Sequence, residues 1–239
     1  MISESAIWHN LECGSYAADL DCWLALADEF GGPVLDVGAG TGRIALMLAA
    51  TGRTVTAVDL DPALLATLKL RSGADSILTV CVDAREMELG ARYSLIIVPM
   101  LTVQLFGGSE GRRRFLTTAA AHLEPGALLA MAIADLGEDD SGEAETAGAP
   151  DTWTDGEVVY STVATSLVAR PGQIGIERRR EVRSTDGSVR EEAATDWIDS
   201  VTADEIEAEA VALGMSLAPR RQIPATDEYI GSTVVCLNG

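Results

Sequence analysis

The chain has 239 residues, 37 acidic and 17 basic, a formal net charge of −20 at pH 7, and 47% hydrophobic against 23% charged residues. That composition excludes overall disorder, and the length suits one large domain or a domain carrying a sizeable insertion. So acidic a surface repels phosphate backbones and anionic headgroups, so neither a nucleic acid nor a membrane is expected as partner.

The N-terminus, Met1-Ile2-Ser3-Glu4-Ser5, has no basic and apolar leader pattern, and a cytoplasmic location is expected. A segment rich in aromatic and polar groups, Trp8-His9-Asn10-Leu11-Glu12-Cys13-Gly14-Ser15-Tyr16, precedes a helix over Ala17–Phe30. Apolar runs then alternate with helical stretches, the pattern of a parallel α/β sheet. Val34–Val37 reads as a buried strand, Gly38–Gly42 as a glycine turn and Arg43–Ala50 as a helix. Thr54–Val58 is a second strand ending at Asp59, and Asp61-Pro62 opens the next helix with an acidic N-cap and proline at the first position. Strands over Ile77–Val82 and Ser94–Val98 follow, then a helix over Glu110–Leu123 and a fifth strand over Ala127–Ala134 ending at Asp135.

From Gly137 to Glu157 the chain is acidic, without basic residues, and reads as an exposed loop. Strands are expected over Val158–Val168, Ile174–Ser184 and Val189–Ile198, with Asp186-Gly187 as a hairpin signal. Thr202-x-x-Glu205 is a capping box that opens a helix ending at Gly214, and Thr233–Leu237 is the last strand. The expected fold is therefore α/β: a seven-stranded, doubly wound, Rossmann-like sheet with a late antiparallel β insertion covering the active site. It divides into an N-terminal helical cap (1–31), a nucleotide-binding core (32–136), an acidic loop with the insertion (137–200), and a C-terminal helix with the last core strands (201–239). The charged runs Arg112-Arg113-Arg114 and Arg178-Arg179-Arg180 read as solvated faces. Cys13, Cys22, Cys81 and Cys236 lack metal-ligand spacing, and the chain has two histidines, His9 and His122, so no metal is expected.

The loop Asp36-Val37-Gly38-Ala39-Gly40-Thr41-Gly42-Arg43 lies between a strand and a helix, the context a cofactor loop requires. Its spacing is GxGxG, and Arg43 stands where a dinucleotide fingerprint needs a third glycine. No GK[ST] follows, which excludes a P-loop. Asp36 would repel a pyrophosphate but suits a cationic ligand carrying an amino group, which selects S-adenosylmethionine over NAD.

With these residues the sequence resembles the class I S-adenosylmethionine-dependent methyltransferases. VLDVGAGTGR, Val34 to Arg43, looks like their motif I. The resemblance covers residues 32–135 and implies that Asp36, Gly38, Ala39, Gly40 and Arg43 border the cofactor. It further implies that Asp59 takes the ribose hydroxyls, Leu60 packs on adenine, Asp83 with Ala84 reads the adenine edge, and Pro99 and Met100 flank the donor. After strand four the chain reads Val98-Pro99-Met100-Leu101, which lacks the [DNS]PP[YFW] pattern of DNA amino-methyltransferases and the acid of a catechol-type magnesium site. What remains is the small-molecule group of natural-product tailoring enzymes, such as the aminosugar N-methyltransferases. In such enzymes an N-terminal segment folds over the cofactor and its tyrosine approaches the methionine moiety, a role that falls to Tyr16. Candidate catalytic groups are His9, Tyr16 and Asp135. Candidate acceptor contacts are Trp8, Gln104, Trp153, Tyr160 and Trp197. The product would be S-adenosylhomocysteine, and the protein a monomer or homodimer. A catalytically silent cofactor-binding subunit is the alternative reading.

Overall fold

In the computed structural model, residues 2–134, 136, 142–143, 149–226 and 229–239 are described. A seven-stranded sheet forms the core, built from β1 (Val34–Val37), β2 (Val55–Asp59), β3 (Ile77–Cys81), β4 (Tyr93–Val98), β5 (Leu123–Ile133), β11 (Ser216–Ile223) and β12 (Ser232–Asn238). Its order is β11-β12-β5-β4-β1-β2-β3. Strands β1 to β5 are parallel, and β12 runs antiparallel between β5 and β11. The central strands β1 and β4 are buried on both faces and are apolar almost throughout. Side chains alternate between two cores. Leu35, Ile96 and Val98 lie in one, and Val34, Leu95 and Ile97 lie in the other with Trp23, Leu26 and Leu48.

Helices α2 (Leu20–Phe30), α3 (Arg43–Ala50), α4 (Pro62–Lys69), α5 (Gly108–His122) and α6 (Ala203–Ala212) flank this sheet. Helix α6 starts on the expected capping box: Thr202 and Glu205 satisfy each other's backbone N–H groups. His122, at the end of α5, accepts from the Leu89 N–H at 3.0 Å through Nε2, and its Nδ1 faces the Thr118 carbonyl at 2.8 Å. A proton on Nδ1 would satisfy both contacts.

A second, antiparallel sheet comprises β6 (Gly142–Glu143), β7 (Asp151–Asp155), β8 (Val158–Arg170), β9 (Gln173–Arg183) and β10 (Val189–Asp199). The stretch read as one acidic loop thus includes strands β6 and β7, both paired to β8. Residues 137–141 and 144–148 of that stretch lie outside the described residues.

The N-terminus also differs from expectation. Glu4–Cys13 form a separate helix, α1, capped by Ser3, and α2 begins at Leu20 rather than Ala17. Helix α1 lies between the two sheets' sites: Trp8 meets Tyr160 edge-on at 5.4 Å, and Glu12 pairs with Arg180 of β9. The two arginine runs are correspondingly not simple solvated faces. Arg178 and Arg180 are half-buried around Glu12, whereas Arg179, one residue along a strand whose side chains alternate, is exposed. Arg112 is buried and pairs with Glu209 at 2.7 Å and Asp199 at 3.1 Å, while Arg113 and Arg114 face solvent.

Candidate active site

The carboxyl ends of the parallel strands share one edge, where open α/β sheets bind ligands. Asp59 is the last residue of β2, Asp83 lies two residues past β3, and Pro99 and Met100 follow β4. Asp135 lies outside the described residues.

The turn after β1 is held by hydrogen bonds from Gly38 N–H and Ala39 N–H to the Val58 carbonyl, at 2.8 and 3.0 Å. Gly38, Gly40 and Gly42 all have positive φ, at 72°, 56° and 88°. A methyl at Gly38 would meet the Thr102 side chain, and one at Gly40 would overlap the imidazole of His9. The glycines are therefore required by close approach as well as by conformation. Gly40→Ala should displace His9 and α1, costing ~1–3 kcal/mol of stability and at least about tenfold in S-adenosylhomocysteine affinity. Thermal unfolding together with calorimetric titration of the variant measures both effects.

Asp36 is 1% exposed, and neither carboxylate oxygen makes a hydrogen bond of good geometry. Burial drives its pKa up to about 7, with the Arg43 charge opposing that rise and Asp59 adding to it. The Tyr16 hydroxyl is also buried and faces Ser232 without well-formed hydrogen bonding. Arg43 sits 5.2 Å over the Tyr16 ring and donates to the Tyr16 carbonyl at 2.8 Å. Its guanidinium is otherwise committed to Asp19, at 2.6 and 2.7 Å, and Asp19 also accepts from the Trp23 indole. Arg43 is thus a clamp that lays Tyr16 beside the glycine turn. Tyr229 packs on Tyr16 from beyond β11, with ring centroids 4.7 Å apart and planes tilted by 46°.

Asp59 accepts from Gly40 N–H at 2.7 Å and Asp61 N–H at 2.8 Å, one bond per carboxylate oxygen, which leaves lone pairs on each. Leu60 beside it is 66% exposed, a large apolar side chain at the sheet edge. Asp83 is bound by Arg85 through Nε and Nη2, and this pairing holds its carboxyl below the usual range. Ala84 is buried next to it. Met100 has a φ of 56°, the sole positive value at a non-glycine among the described residues, and Thr102 donates to the Pro99 carbonyl. The strain lies in the turn that leaves β4 toward the glycine loop.

His9 lies on Gly40 rather than in open space, and its Nδ1 is unpartnered. Burial lowers its pKa, with Asp59 and Glu12 pulling it back up. The imidazole therefore stands on the Asp59 side of the loop. Gln104 departs from its expected place as an acceptor contact. Its amide is buried and donates to the carbonyls of Ala134 and Asp199, at 3.1 and 3.0 Å, and accepts from Ala134 N–H at 2.9 Å. Both amide protons are used to brace the end of β5 against β10. Trp8, Trp153 and Tyr160 form one aromatic cluster between α1 and the second sheet, and Trp197 is stacked under Arg170 at 3.8 Å. Asn10, Asp19, Arg85 and Asp199 were not singled out from sequence; of these, only Arg85, two residues after Asp83, carries a local signal.

An S-adenosyl ligand fits this donor set. An unpartnered buried carboxylate suits a ligand ammonium, a strand-end carboxylate with free lone pairs suits a diol, and an exposed leucine beside it suits a flat base.

Residues 34–126 match a methyltransferase domain, the part of the chain that holds the glycine loop and the strand-end acids. Residues 34–126 thus carry a methyltransferase domain, and the whole chain shares the fold of S-adenosylmethionine-dependent methyltransferases. No curated protein matches the chain in sequence. Among solved structures, an S-adenosylmethionine-dependent methyltransferase from Clostridium acetobutylicum is similar with a TM-score of 0.74 at 14% identity, covering 98% of this chain and 96% of its own. DesVI from Streptomyces venezuelae is similar with a TM-score of 0.74 at 18% identity, covering 98% of each chain. CalS10 from Micromonospora echinaspora, an amino pentose methyltransferase of calicheamicin biosynthesis solved with S-adenosylmethionine, has a TM-score of 0.72 at 21% identity, covering 97% of this chain and 95% of its own.

Proposed function

We propose that the protein transfers a methyl group from S-adenosylmethionine to an O, N or S atom of a small molecule, in the tailoring of a natural product such as an aminosugar. The observation that carries this reading is Asp36, a buried carboxylate without a partner beneath a glycine turn at the ligand-binding edge of the sheet. Asp36 and Tyr16 would hold the methionine end, Asp59 the ribose diol, Leu60 one face of adenine, and Asp83 with Ala84 its edge. The aminosugar assignment is supported by the whole-length likeness to CalS10 and to KedS8, a sugar N-methyltransferase.

Bound S-adenosylmethionine supplies a sulfonium methyl open to in-line displacement. The chain's part is to fix the geometry and exclude water, which can carry much of such a reaction. Tyr16 and the strained Pro99-Met100 turn would define the mouth facing the methyl, and helix α1 would close the cofactor side. Among the described residues, His9 is the imidazole nearest the loop, and its place against Gly40 favours a binding role there over proton abstraction from an acceptor. An amine acceptor, deprotonated on entry, needs no strong base. The chain's net charge of −20, most of it after residue 136, suits a neutral or cationic acceptor.

Methyl transfer from labelled S-adenosylmethionine to a panel of amino, hydroxyl and thiol small molecules tests the reading. Transfer to an aminosugar supports it; cofactor binding without transfer to any class of acceptor would favour the silent-subunit alternative. Asp59→Ala should weaken cofactor binding by ~1–3 kcal/mol through lost hydrogen bonds to the diol, read by titration. Unchanged affinity would remove that assignment.

A further inference from the structure

Helix α1 touches two sites at once, and one buried carboxylate holds it there. On one side His9 packs on Gly40, and the hydroxyl of Thr41, in the same turn, donates to the Asn10 side chain at 2.6 Å. On the other side Glu12 is almost enclosed, with 8% of its side chain exposed. It accepts from Arg180 Nε at 2.8 Å, from Arg180 Nη2 at 2.9 Å and from the Thr162 hydroxyl at 3.2 Å, with Arg178 at 3.9 Å. Trp8 and Leu11 complete this side, with Arg180 also 5.3 Å over the Trp8 ring. Two-pronged arginine–carboxylate pairing fixes direction as well as distance. A rigid helix of ten residues therefore links the second sheet to the glycine turn.

We infer that Glu12 is a positioning residue for the cofactor: by seating α1 on Arg180, Arg178 and Thr162 it holds His9 and Asn10 against the glycine turn, so that cofactor binding and the placement of the second sheet are coupled. The inference rests on the reading that the turn binds S-adenosylmethionine. Coupling through a shared element is reciprocal. Whatever orders α1 from the loop side also orders β8 and β9, and whatever frees Glu12 loosens the loop contacts. Replacing Glu12 by glutamine keeps its shape and removes the charge, which leaves two arginines facing a neutral amide.

The experiment combines calorimetric titration of S-adenosylhomocysteine with hydrogen exchange, on the full chain, for wild type, Glu12→Gln and Arg180→Gln. Arg113→Gln, which breaks the exposed Arg113–Glu110 pair, is the control for loss of a surface charge. Binding by wild type establishes the underlying reading, and its absence would overturn that reading rather than this one. Given binding, the expected result is an affinity at least fivefold weaker in Glu12→Gln and Arg180→Gln and unchanged in Arg113→Gln. Ligand should slow exchange in α1, β8 and β9 of wild type, and this protection of β8 and β9 should disappear in both seat variants. Saturating ligand should restore slow exchange in α1 of Glu12→Gln. Equal affinities across the set, or ligand protection confined to residues 34–126 in wild type, would overturn the proposal. If Glu12→Gln fails to fold, Arg180→Gln and the wild-type exchange pattern decide alone.

Discussion

Asp36→Asn should separate stability from ligand binding. In the free protein the Asp36 carboxyl is held protonated toward pH 7 by burial, against an ordinary value of 3.8. The native state therefore keeps a proton that the unfolded chain has lost. Stability from this group is fully present below about pH 4, falls as pH rises toward about 7, and is flat above. The loss amounts to a few kcal/mol. Asparagine carries no such term, so the variant should unfold at a higher temperature than wild type at pH 8 and at a similar one at pH 4. Cofactor binding moves the other way: with no charge to meet a ligand ammonium, affinity should fall by ~1.5–3 kcal/mol, about 10- to 150-fold. Unfolding scans at the two pH values and one titration read the whole prediction. A variant less stable at pH 8 with unaltered affinity would contradict it.

Arg112→Met should cost the most stability of any change outside the site. Arg112 joins α5 to Glu209 of α6 and to Asp199 at the end of β10. Asp199 in turn accepts from Gly108 N–H at 2.6 Å and from the Gln173 amide, and its carbonyl takes a bond from Gln104. Removing the cation leaves a carboxylate 7% exposed with only neutral donors, a loss of ~3–5 kcal/mol. For a chain of this size the midpoint should fall by ~6–20 °C. Because the same joint fixes Gln104, and through it the Pro99–Leu105 segment, activity should fall at temperatures where the protein remains folded. A midpoint within about 2 °C of wild type would show that the joint is not a stabilising one.

The parallel core was legible because its strands are short apolar runs that end in acids or turns, and Arg43–Ala50 forms a helix at the expected residues. Other elements left weaker signals. Strand β11 reads Ser-Leu-Ala-Pro-Arg-Arg-Gln-Ile, mostly exposed and irregular between Ala218 and Arg221, as an edge strand with proline and charge can be. Helix α1 divides its contacts between a sheet and a loop, so its apolar residues Ile7, Trp8 and Leu11 mark one face while His9 and Asn10 serve another. The strand-end acids stood out by position. Their partners did not: Gln104 is a brace because Ala134 and Asp199, 30 and 95 residues away, converge on it. Asp19 is likewise defined by Arg43, 24 residues away, which no spacing rule connects to it.

Asp36, beneath the glycine turn, is the group proposed to receive the ammonium of an S-adenosyl ligand. Titrating the wild-type protein with S-adenosylhomocysteine at pH 6, in two buffers of different ionisation enthalpy, tests it most directly. The expected result is one-to-one binding in which a proton leaves the protein as Asp36 ionises against the ligand, so the measured heat changes with buffer and the effect vanishes in Asp36→Asn. No binding at millimolar ligand, or binding with the same heat in both buffers, would contradict it.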